Sequence, residues 1–188
     1  MSLIGVQGGE GSFSEEAARI FAGNNGLEPF EIEYLITSEE VLSAVENKSV
    51  EYGVLAIENA KGGVVIESIE ALAGHVCEIV EMLYIPISQN LLTIPGTLMG
   101  NIREIHSHPQ ALGQCKDFLA EHFWTRPLVE ADDTAESARR LKEGELPDSA
   151  AVIASKSCAE IYGLELIQED IQDLKNNLTL FLGIKSIK

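Results

Sequence analysis

A hydroxyl, an imidazole and an amide follow one another closely at Ser107, His108 and Gln110, and these groups can bind a small polar ligand. They lie between a predicted strand over 101–106 and an apolar-periodic helix over 109–121. In α/β proteins, the turn from a strand to the next helix is where ligand groups are commonly held. This stretch therefore predicts part of a ligand site in a cleft lined by loops.

Other predicted helix starts carry small hydroxyl residues. Ser12 and Ser14 follow a glycine-rich turn, and Thr134 opens a later helix. Backbone N–H groups at such positions bind carboxylates without a formal positive charge. Ordinary helix capping is an alternative that is compatible with this role.

A carboxylate and an amide, Glu58 and Asn59, end the predicted strand over 52–57 and precede a glycine-rich turn. A carboxylate at the end of a buried strand can have a raised pKa and act as an acid, so Glu58 is a candidate proton donor. A cap for the next helix is the alternative for Glu58. Asn59 could donate to a substrate oxygen, or it could simply form the turn.

The elements that must position these residues alternate between strands and helices, except in a strand-only middle over 77–94. This order predicts an α/β fold with largely parallel sheets. The predicted strands are 3–7, 30–35, 52–57, 77–88, 91–94, 101–106, 126–129, 150–154, a short one near 166, and 178–184. The predicted helices are 12–22, one capped by Thr37, 65–73, 109–121, 134–142 and 156–162.

Bulk composition narrows the functional classes. The chain has 188 residues, 45% of them hydrophobic, and a net charge of −17, with no apolar run near the length of a membrane helix. The acidic charge argues against nucleic acid and anionic membranes as partners. Three widely spaced cysteines and no signal-peptide pattern predict free thiols in a reducing cytoplasm.

Neither a metal nor a cofactor is predicted. His106 and His108 alternate on a strand edge, but no third ligand has suitable spacing. The glycines at 8, 9 and 11 do not form the G-x-G-x-x-G fingerprint of a dinucleotide site. We therefore expect a small-molecule substrate handled by side chains and backbone groups alone.

The polar turns form an ordered set of motifs: Ser-Phe-Ser from Ser12, Ile-Glu-Asn from Ile57, Ser-His-Pro-Gln-Ala-Leu from Ser107, Asp-Thr-Ala from Asp133, and Asn-Leu-Thr-Leu-Phe from Asn177. Any single motif is weak, but the ordered set is specific. Over essentially its whole length, the chain resembles the catalytic domain of prephenate dehydratase.

The resemblance implies two α/β lobes with a cleft between them, similar to type II periplasmic binding proteins. Lobe 1 would span about 1–79 plus 170–188, and lobe 2 about 80–169. The implied activity is the decarboxylative dehydration of prephenate to phenylpyruvate in phenylalanine biosynthesis, without a cofactor. Family members form dimers or tetramers, so a homo-dimer or tetramer is expected.

The resemblance also implies roles for particular residues. Thr179 would be the donor to the leaving hydroxyl, with Glu58 as the second catalytic candidate. The expected substrate-binding residues are Ser12, Ser14, Asn59, Lys61, Gly62, Ser107, His108, Gln110, Thr134 and Phe181.

Two departures from the family pattern bear on activity: Leu180 stands where the family has arginine, and Ala60 stands where it has serine. Losing the arginine removes a bidentate donor for carboxylates, although Lys61 could partly replace it. A weakened or binding-only protein that holds a small carboxylate is therefore an alternative, and arogenate dehydratase is another. The chain ends soon after the last motif, so regulation by an ACT domain is expected to be absent.

Overall fold

A computed structural model describes residues Met1–Ile187 and divides them into two compact units. Unit 1 comprises Met1–Gly9, Phe13–Pro86 and the segment that begins at Asn177. Unit 2 comprises Glu10–Ser12 and Ile87–Asn176. Both units combine a sheet with helices, so the predicted α/β class is confirmed.

Strands and helices alternate through most of the chain. The strands are β1 (Ser2–Gln7), β2 (Phe30–Leu35), β3 (Tyr52–Asn59), β4 (Gly63–Val64), β5 (Cys77–Pro86), β6 (Asn90–Thr93), β7 (Glu104–Ser107), β8 (Leu128–Glu130), β9 (Ala150–Ala154), β10 (Glu165–Gln168) and β11 (Leu178–Ser186). The helices are α1 (Phe13–Asn25), α2 (Ser38–Glu46), α3 (Ile66–Gly74), α4 (Pro109–Gln114), α5 (Lys116–Phe123), α6 (Thr134–Lys142) and α7 (Lys156–Tyr162). No helix of the described part is long and apolar enough to cross a bilayer.

The sheet of unit 1 has the order β2-β1-β3-β11-β5, and β4 pairs with β3. Strand β1 pairs in parallel with β2 and β3, whereas β11 runs antiparallel between β3 and β5. Phe181 packs in the core with Phe21 of α1, and Leu182 packs in the core with Val41 and Leu42 of α2. Strand β11 is therefore covered on both faces.

The sheet of unit 2 has the order β10-β6-β9-β7-β8. Strand β7 is parallel to β8 and β9, and β6 is antiparallel to β9 and β10. Every residue of β9 is buried, since one core cluster lies on each side of this strand. The parallel strands end together, which brings the turns after β7 and β8 to one edge of the sheet.

Apart from the short segment Glu10–Ser12, the boundaries between the units lie at residues 86–87 and 176–177. The expected lobe boundaries were near 79–80 and 169–170. Strand β5 belongs to unit 1 because it pairs with β11 along its whole length, from Cys77 to Pro86. The sequence pattern could not show this pairing, since its partner strand lies about a hundred residues further along the chain.

The single helix predicted over 109–121 is wrong, because it is two helices, α4 and α5, separated at Cys115. Asp173 occupies the break. Its backbone N–H donates to the Gln114 carbonyl at 2.8 Å, and its carboxylate accepts from the Asp117 N–H at 3.1 Å. A distant loop residue thus replaces helical hydrogen bonds that the local sequence would otherwise form.

His75 links the two ends of α2 on the surface of unit 1. Its Nδ1 lies 2.5 Å from a Glu46 oxygen and its Nε2 lies 2.8 Å from a Glu39 oxygen. Carboxylates only accept, so both contacts are strongest when both ring nitrogens carry protons. The hydrogen bonds to Glu39 and then to Glu46 raise the pKa of His75 above its usual value.

This arrangement makes the stability of unit 1 pH-dependent. A raised folded-state pKa adds stability that is complete below the unfolded pKa and is lost as pH rises through the folded pKa. We expect His75→Gln to lower the melting temperature more at pH 6 than at pH 9, with each exposed pair contributing about 0.2–1 kcal/mol. Thermal unfolding of the natural chain and of His75→Gln between pH 6 and pH 9 measures this difference in melting temperature. An equal loss at both pH values would contradict the charged bridge.

Candidate functional site

A buried hydrogen-bonded group in unit 1 contains the predicted donor Thr179. Thr179 and Asn59 are direct partners across the antiparallel pair of β11 and β3. The Asn59 Nδ2 donates to Thr179 Oγ1 at 2.8 Å and to Asn177 Oδ1 at 2.9 Å. All three residues are at most 6% exposed. Strand pairing thus brings together two residues that the sequence separates by 120 positions.

The other end of the Asn59 side chain organises the turn after β3. Its Oδ1 accepts the backbone N–H groups of Lys61 at 3.1 Å and Gly62 at 2.8 Å. Asparagine oxygens commonly hold turns in this way. The turn-forming alternative for Asn59 therefore holds, and its amide also contacts Thr179.

Thr179 and Glu58 point to opposite faces of the sheet. Glu58 is paired with Leu180, whereas Asn59 is paired with Thr179, and side chains alternate faces along a strand. The pairing shifts between Leu180 and Phe181, which leaves Ile57 as an extra residue on β3. The structure therefore does not bring the two predicted catalytic side chains together.

Glu58 also lacks the burial expected of a carboxyl group at the end of a buried strand, because it is exposed. It does not cap the next helix either, since α3 begins after Val65 without a side-chain cap. Lys61 and Gly62 are likewise exposed. The local physical case for Glu58 as an acid is therefore absent from unit 1.

Phe181 was expected to contact substrate, but its placement does not support this role. It is 2% exposed and packs with core residues such as Val54 and Leu83. It lies on the same face as Thr179, two residues further along β11. Phe181 therefore anchors the strand that carries the hydroxyl.

In unit 2, Ser107 and His108 occupy the turn between β7 and α4. The buried Ser107 hydroxyl donates to the Ile153 carbonyl at 2.6 Å and so ties β7 to β9. His108 is the N-cap of α4, and its Nδ1 accepts from the Gln110 N–H at 3.2 Å. A neutral His108 with an accepting Nδ1 carries its proton on Nε2, which leaves a donor on the ring.

The expected anion-binding helix starts of unit 2 are already capped. The Gln110 N–H is taken by His108, and the Gln110 side chain is exposed. Thr134 is the first residue of α6, whose N-cap Asp133 accepts from the Glu136 N–H at 2.8 Å. Because this cap is itself a carboxylate, a further anion beside Thr134 is disfavoured.

The glycine-rich turn before α1 is attached to α7. Ser155 Oγ donates to the Gly11 carbonyl at 2.6 Å, and the Tyr162 hydroxyl donates to the Glu10 carbonyl at 3.0 Å. Burial raises the pKa of Tyr162 to about 12, so this hydroxyl keeps its proton. A Cβ on Gly11 would lie 2.8 Å from the Cys158 sulfur, so the turn approaches α7 closely because it has glycine there.

Ser12 and Ser14 flank the start of α1 and are both buried. Ser12 groups with unit 2, whereas Ser14 groups with unit 1. Ser155 and Tyr162 were not predicted as site residues. The signal that could have revealed Ser155 is a hydroxyl directly before a predicted helix, the usual N-cap position, which it occupies.

Metal ligation has no support among residues 1–187, where no group of three or more His, Cys, Asp or Glu side chains could hold an ion. His106 instead contacts Glu104, with Nε2 and Oε1 3.0 Å apart.

A model of the prephenate dehydratase domain matches residues 4–188, so the chain belongs to the prephenate dehydratase family. It is 37% identical over 179 residues to an Arabidopsis thaliana protein named arogenate dehydratase/prephenate dehydratase 2, chloroplastic, covering 95% of this chain and 45% of that one. It is 33% identical to a bifunctional chorismate mutase/prephenate dehydratase from Buchnera aphidicola, covering 93% and 45% respectively. The chain thus spans a little less than half the length of these relatives.

Solved structures agree with this assignment. A prephenate dehydratase from Arthrobacter aurescens in complex with L-Phe has 26% identity and a TM-score of 0.89, over 99% of this chain and 61% of that one. A nutrient-binding protein from Burkholderia cenocepacia, at 11% identity and a TM-score of 0.55 over 99% and 85%, shares only the fold. The expected periplasmic-binding-protein-like fold is therefore confirmed.

The contribution of His108 as a helix cap can be measured separately from its role as an Nε2–H donor. His108→Ala should lower the free energy of unfolding by about 1 kcal/mol, because the Gln110 N–H loses its acceptor. His108→Asn should retain most of the stability, since asparagine also caps helices well. Denaturant unfolding of the three proteins measures this, and an equal loss in both variants would show that the cap is not what His108 contributes.

Proposed function

We propose that this domain catalyses the decarboxylative dehydration of prephenate to phenylpyruvate. The bond from the ring to its carboxylate breaks and CO2 leaves, and that electron pair completes the aromatic ring. The bond to the ring hydroxyl breaks as its oxygen takes a proton and departs as water. The electrons balance within the substrate, so the step needs no redox cofactor.

The observation that carries this proposal is the orientation of the Thr179 hydroxyl. Its oxygen accepts from Asn59 Nδ2 at 2.8 Å, so its own proton points elsewhere. No residue of the described chain accepts that proton. A buried hydroxyl held in this way donates to a leaving oxygen, and the hydrogen bond strengthens as negative charge grows on that oxygen.

The choice between prephenate and arogenate belongs to the same proposal. Both substrates carry the ring carboxylate and hydroxyl that react, and they differ only in the side chain. The plant relatives carry both substrates in their names, which supports testing both. Purified protein incubated with each substrate should form phenylpyruvate or phenylalanine.

Substrate binding by the expected residues stays a proposal, and the structure supports some of them more than others. These residues are Ser12, Ser14, Asn59, Lys61, Gly62, Ser107, His108, Gln110, Thr134 and Phe181. The Nε2–H of neutral His108 is a donor suited to carboxylate or hydroxyl oxygens. Asn59 supports binding less directly, because its two amide protons go to Asn177 and Thr179. Phe181 and Ser107 have structural partners that account for their positions. Lys61 is a nearby exposed cation that supports binding of an anion.

The role of Thr179 predicts a large loss of turnover in Thr179→Val. Valine keeps the shape but removes the donor, and kcat should fall about 100-fold or more, while the dissociation constant for prephenate changes little. Thr93→Val is the matched control, because Thr93 is also a buried strand threonine. The kcat of Glu58→Gln should stay within about threefold of that of the natural chain, since the Glu58 and Thr179 side chains point to opposite faces of the sheet.

Steady-state kinetics with prephenate measures these three variants. Near-normal turnover by Thr179→Val would remove the assigned role. A large loss in Glu58→Gln would show that the exposed carboxylate acts in the reaction despite its position. If the natural chain binds prephenate without turnover, the binding-only alternative is correct.

Leu180 bears on that alternative, because the family has arginine there. Leu180 points away from Thr179, and its cross-strand partners are Glu58 and Tyr84. Directly opposed residues share a face, so an arginine at this position would first meet the Glu58 carboxylate. We propose that the missing arginine weakens activity mainly by removing a guanidinium from beside Glu58 on this face.

The register predicts how an arginine at position 180 would act. Leu180→Arg alone should tighten prephenate binding by less than the ~1.5–3 kcal/mol of a charge-assisted hydrogen bond, because Glu58 competes for the guanidinium. Leu180→Arg combined with Glu58→Gln should give the larger gain. Calorimetry with prephenate measures both. A full gain in the single variant would show that Glu58 does not hold the arginine.

A homo-dimer or tetramer is also proposed, with contact through β5. This strand is at the edge of its sheet and exposes Ile79, Met82 and Tyr84. Its two glutamates are held by other residues, since Glu78 pairs with Lys185 and Glu81 accepts from Asn24 and Asn25. Two copies of a chain with net charge −17 would best associate through a strand with exposed apolar side chains, and light scattering measures the mass.

A cytoplasmic location remains a further proposal. The three cysteines, Cys77, Cys115 and Cys158, are all free thiols. Unpaired thiols are typical of proteins in reducing compartments, and this supports the proposal. Fractionation of cells that produce the protein would test it.

A further inference from the structure

Asn177 belongs to the buried group around Thr179 and has no role assigned to it so far. It is 1% exposed and lies immediately before β11. Its Oδ1 accepts one Nδ2 proton of Asn59 at 2.9 Å, while the other Nδ2 proton goes to Thr179 at 2.8 Å. Both amide protons of Asn59 therefore have fixed acceptors.

Four hydrogen bonds of the Asn59 amide determine its orientation. Its oxygen must face the backbone N–H groups of Lys61 and Gly62, because a flipped amide would set donors against donors. Its nitrogen then faces Asn177 and Thr179. The Asn177 atom that meets it must be an oxygen for the same reason.

This chain of contacts also determines the direction of the Thr179 proton. A hydroxyl has one proton, and an oxygen that accepts from Asn59 does not send that proton back to the same nitrogen. If Asn177 were lost, one Asn59 proton would lose its Oδ1 acceptor, and the amide would gain freedom to turn or shift. The Thr179 hydroxyl would then lose its fixed partner.

We propose that Asn177 is a positioning residue for dehydration: it fixes Asn59, and through Asn59 it aims the Thr179 proton at the leaving hydroxyl. Asn177 acts in this proposal through Asn59 and not on the reacting bonds. The role rests on the proposed function, since it concerns how Thr179 acts. It extends that function by assigning a residue that acts on Thr179 indirectly, through Asn59.

The test compares Asn177→Leu with Asn177→Asp in the full chain. Leucine removes the acceptor, and kcat should fall about tenfold or more, the cost of one unmet buried donor. Aspartate keeps an acceptor, so kcat should stay within about threefold, while KM for the anionic substrate rises because a charge is added. Asn177→Ala replaces the leucine variant if that variant does not fold.

Two controls separate positioning from general stability. Asn90→Leu removes another buried asparagine amide, and it should lower the melting temperature without lowering kcat. Asn177→Leu in a Thr179→Val background should cost no further turnover, because residues that act through one another are not additive. Fully additive losses would overturn the proposal.

A second readout does not depend on turnover. In spectra of the ¹⁵N-labelled protein, the two Nδ2 protons of Asn59 should respond separately, one to Asn177→Leu and the other to Thr179→Val. If the natural chain forms no product while these protons respond as expected, the dehydratase proposal fails and the positioning of Asn59 by Asn177 stands. If Asn177→Leu leaves both protons unchanged, the positioning role is wrong, whatever the activity.

Discussion

The pairing of the last strand with β3 and β5 is the constraint on which unit 1 depends. Strand β11 runs antiparallel between them, and each of its residues from Thr179 to Ile184 is buried. Central strands bury both faces and satisfy backbone groups on both edges, so they contribute heavily to stability. The same pairing sets Thr179 opposite Asn59. The folding of this sheet therefore also forms the hydrogen bond between these two side chains.

Glycine at one position lets this strand lie close to α1. A Cβ on Gly183 would lie 2.3 Å from the ring of Phe21, a distance that side chains do not tolerate. Phe21 and Phe181 belong to the same core cluster, which packs α1 on the face that also carries Thr179. The helix therefore anchors the strand at two of the residues that follow the hydroxyl, and it limits how far Thr179 can move.

Much of the fold was predictable, because local patterns determine it. The helix cap at Thr37 was predicted and is present, with Glu40 completing a capping box, and the strand-only middle became β5 and β6. The break of the helix at Cys115 was not predictable, since Asp173, far away in sequence, supplies the replacing hydrogen bonds. At the candidate site, motif order selected Thr179 and Asn59 as candidates, and the structure places their side chains in contact. Only the strand register showed that Glu58 faces away from them.

The bulge in β3 explains why motif reading grouped residues that the structure separates. Glu58 and Asn59 are adjacent in sequence, and a motif presents them as one unit. In a strand, adjacent residues serve different faces, and the extra residue Ile57 sets which face each one takes. The Asn59 side chain therefore contacts the buried Thr179 hydroxyl, whereas the exposed Glu58 side chain lies on the same face as Leu180. A substitution at Leu180 accordingly alters the surroundings of Glu58 before it alters those of Thr179, because Leu180 and Glu58 are direct cross-strand partners.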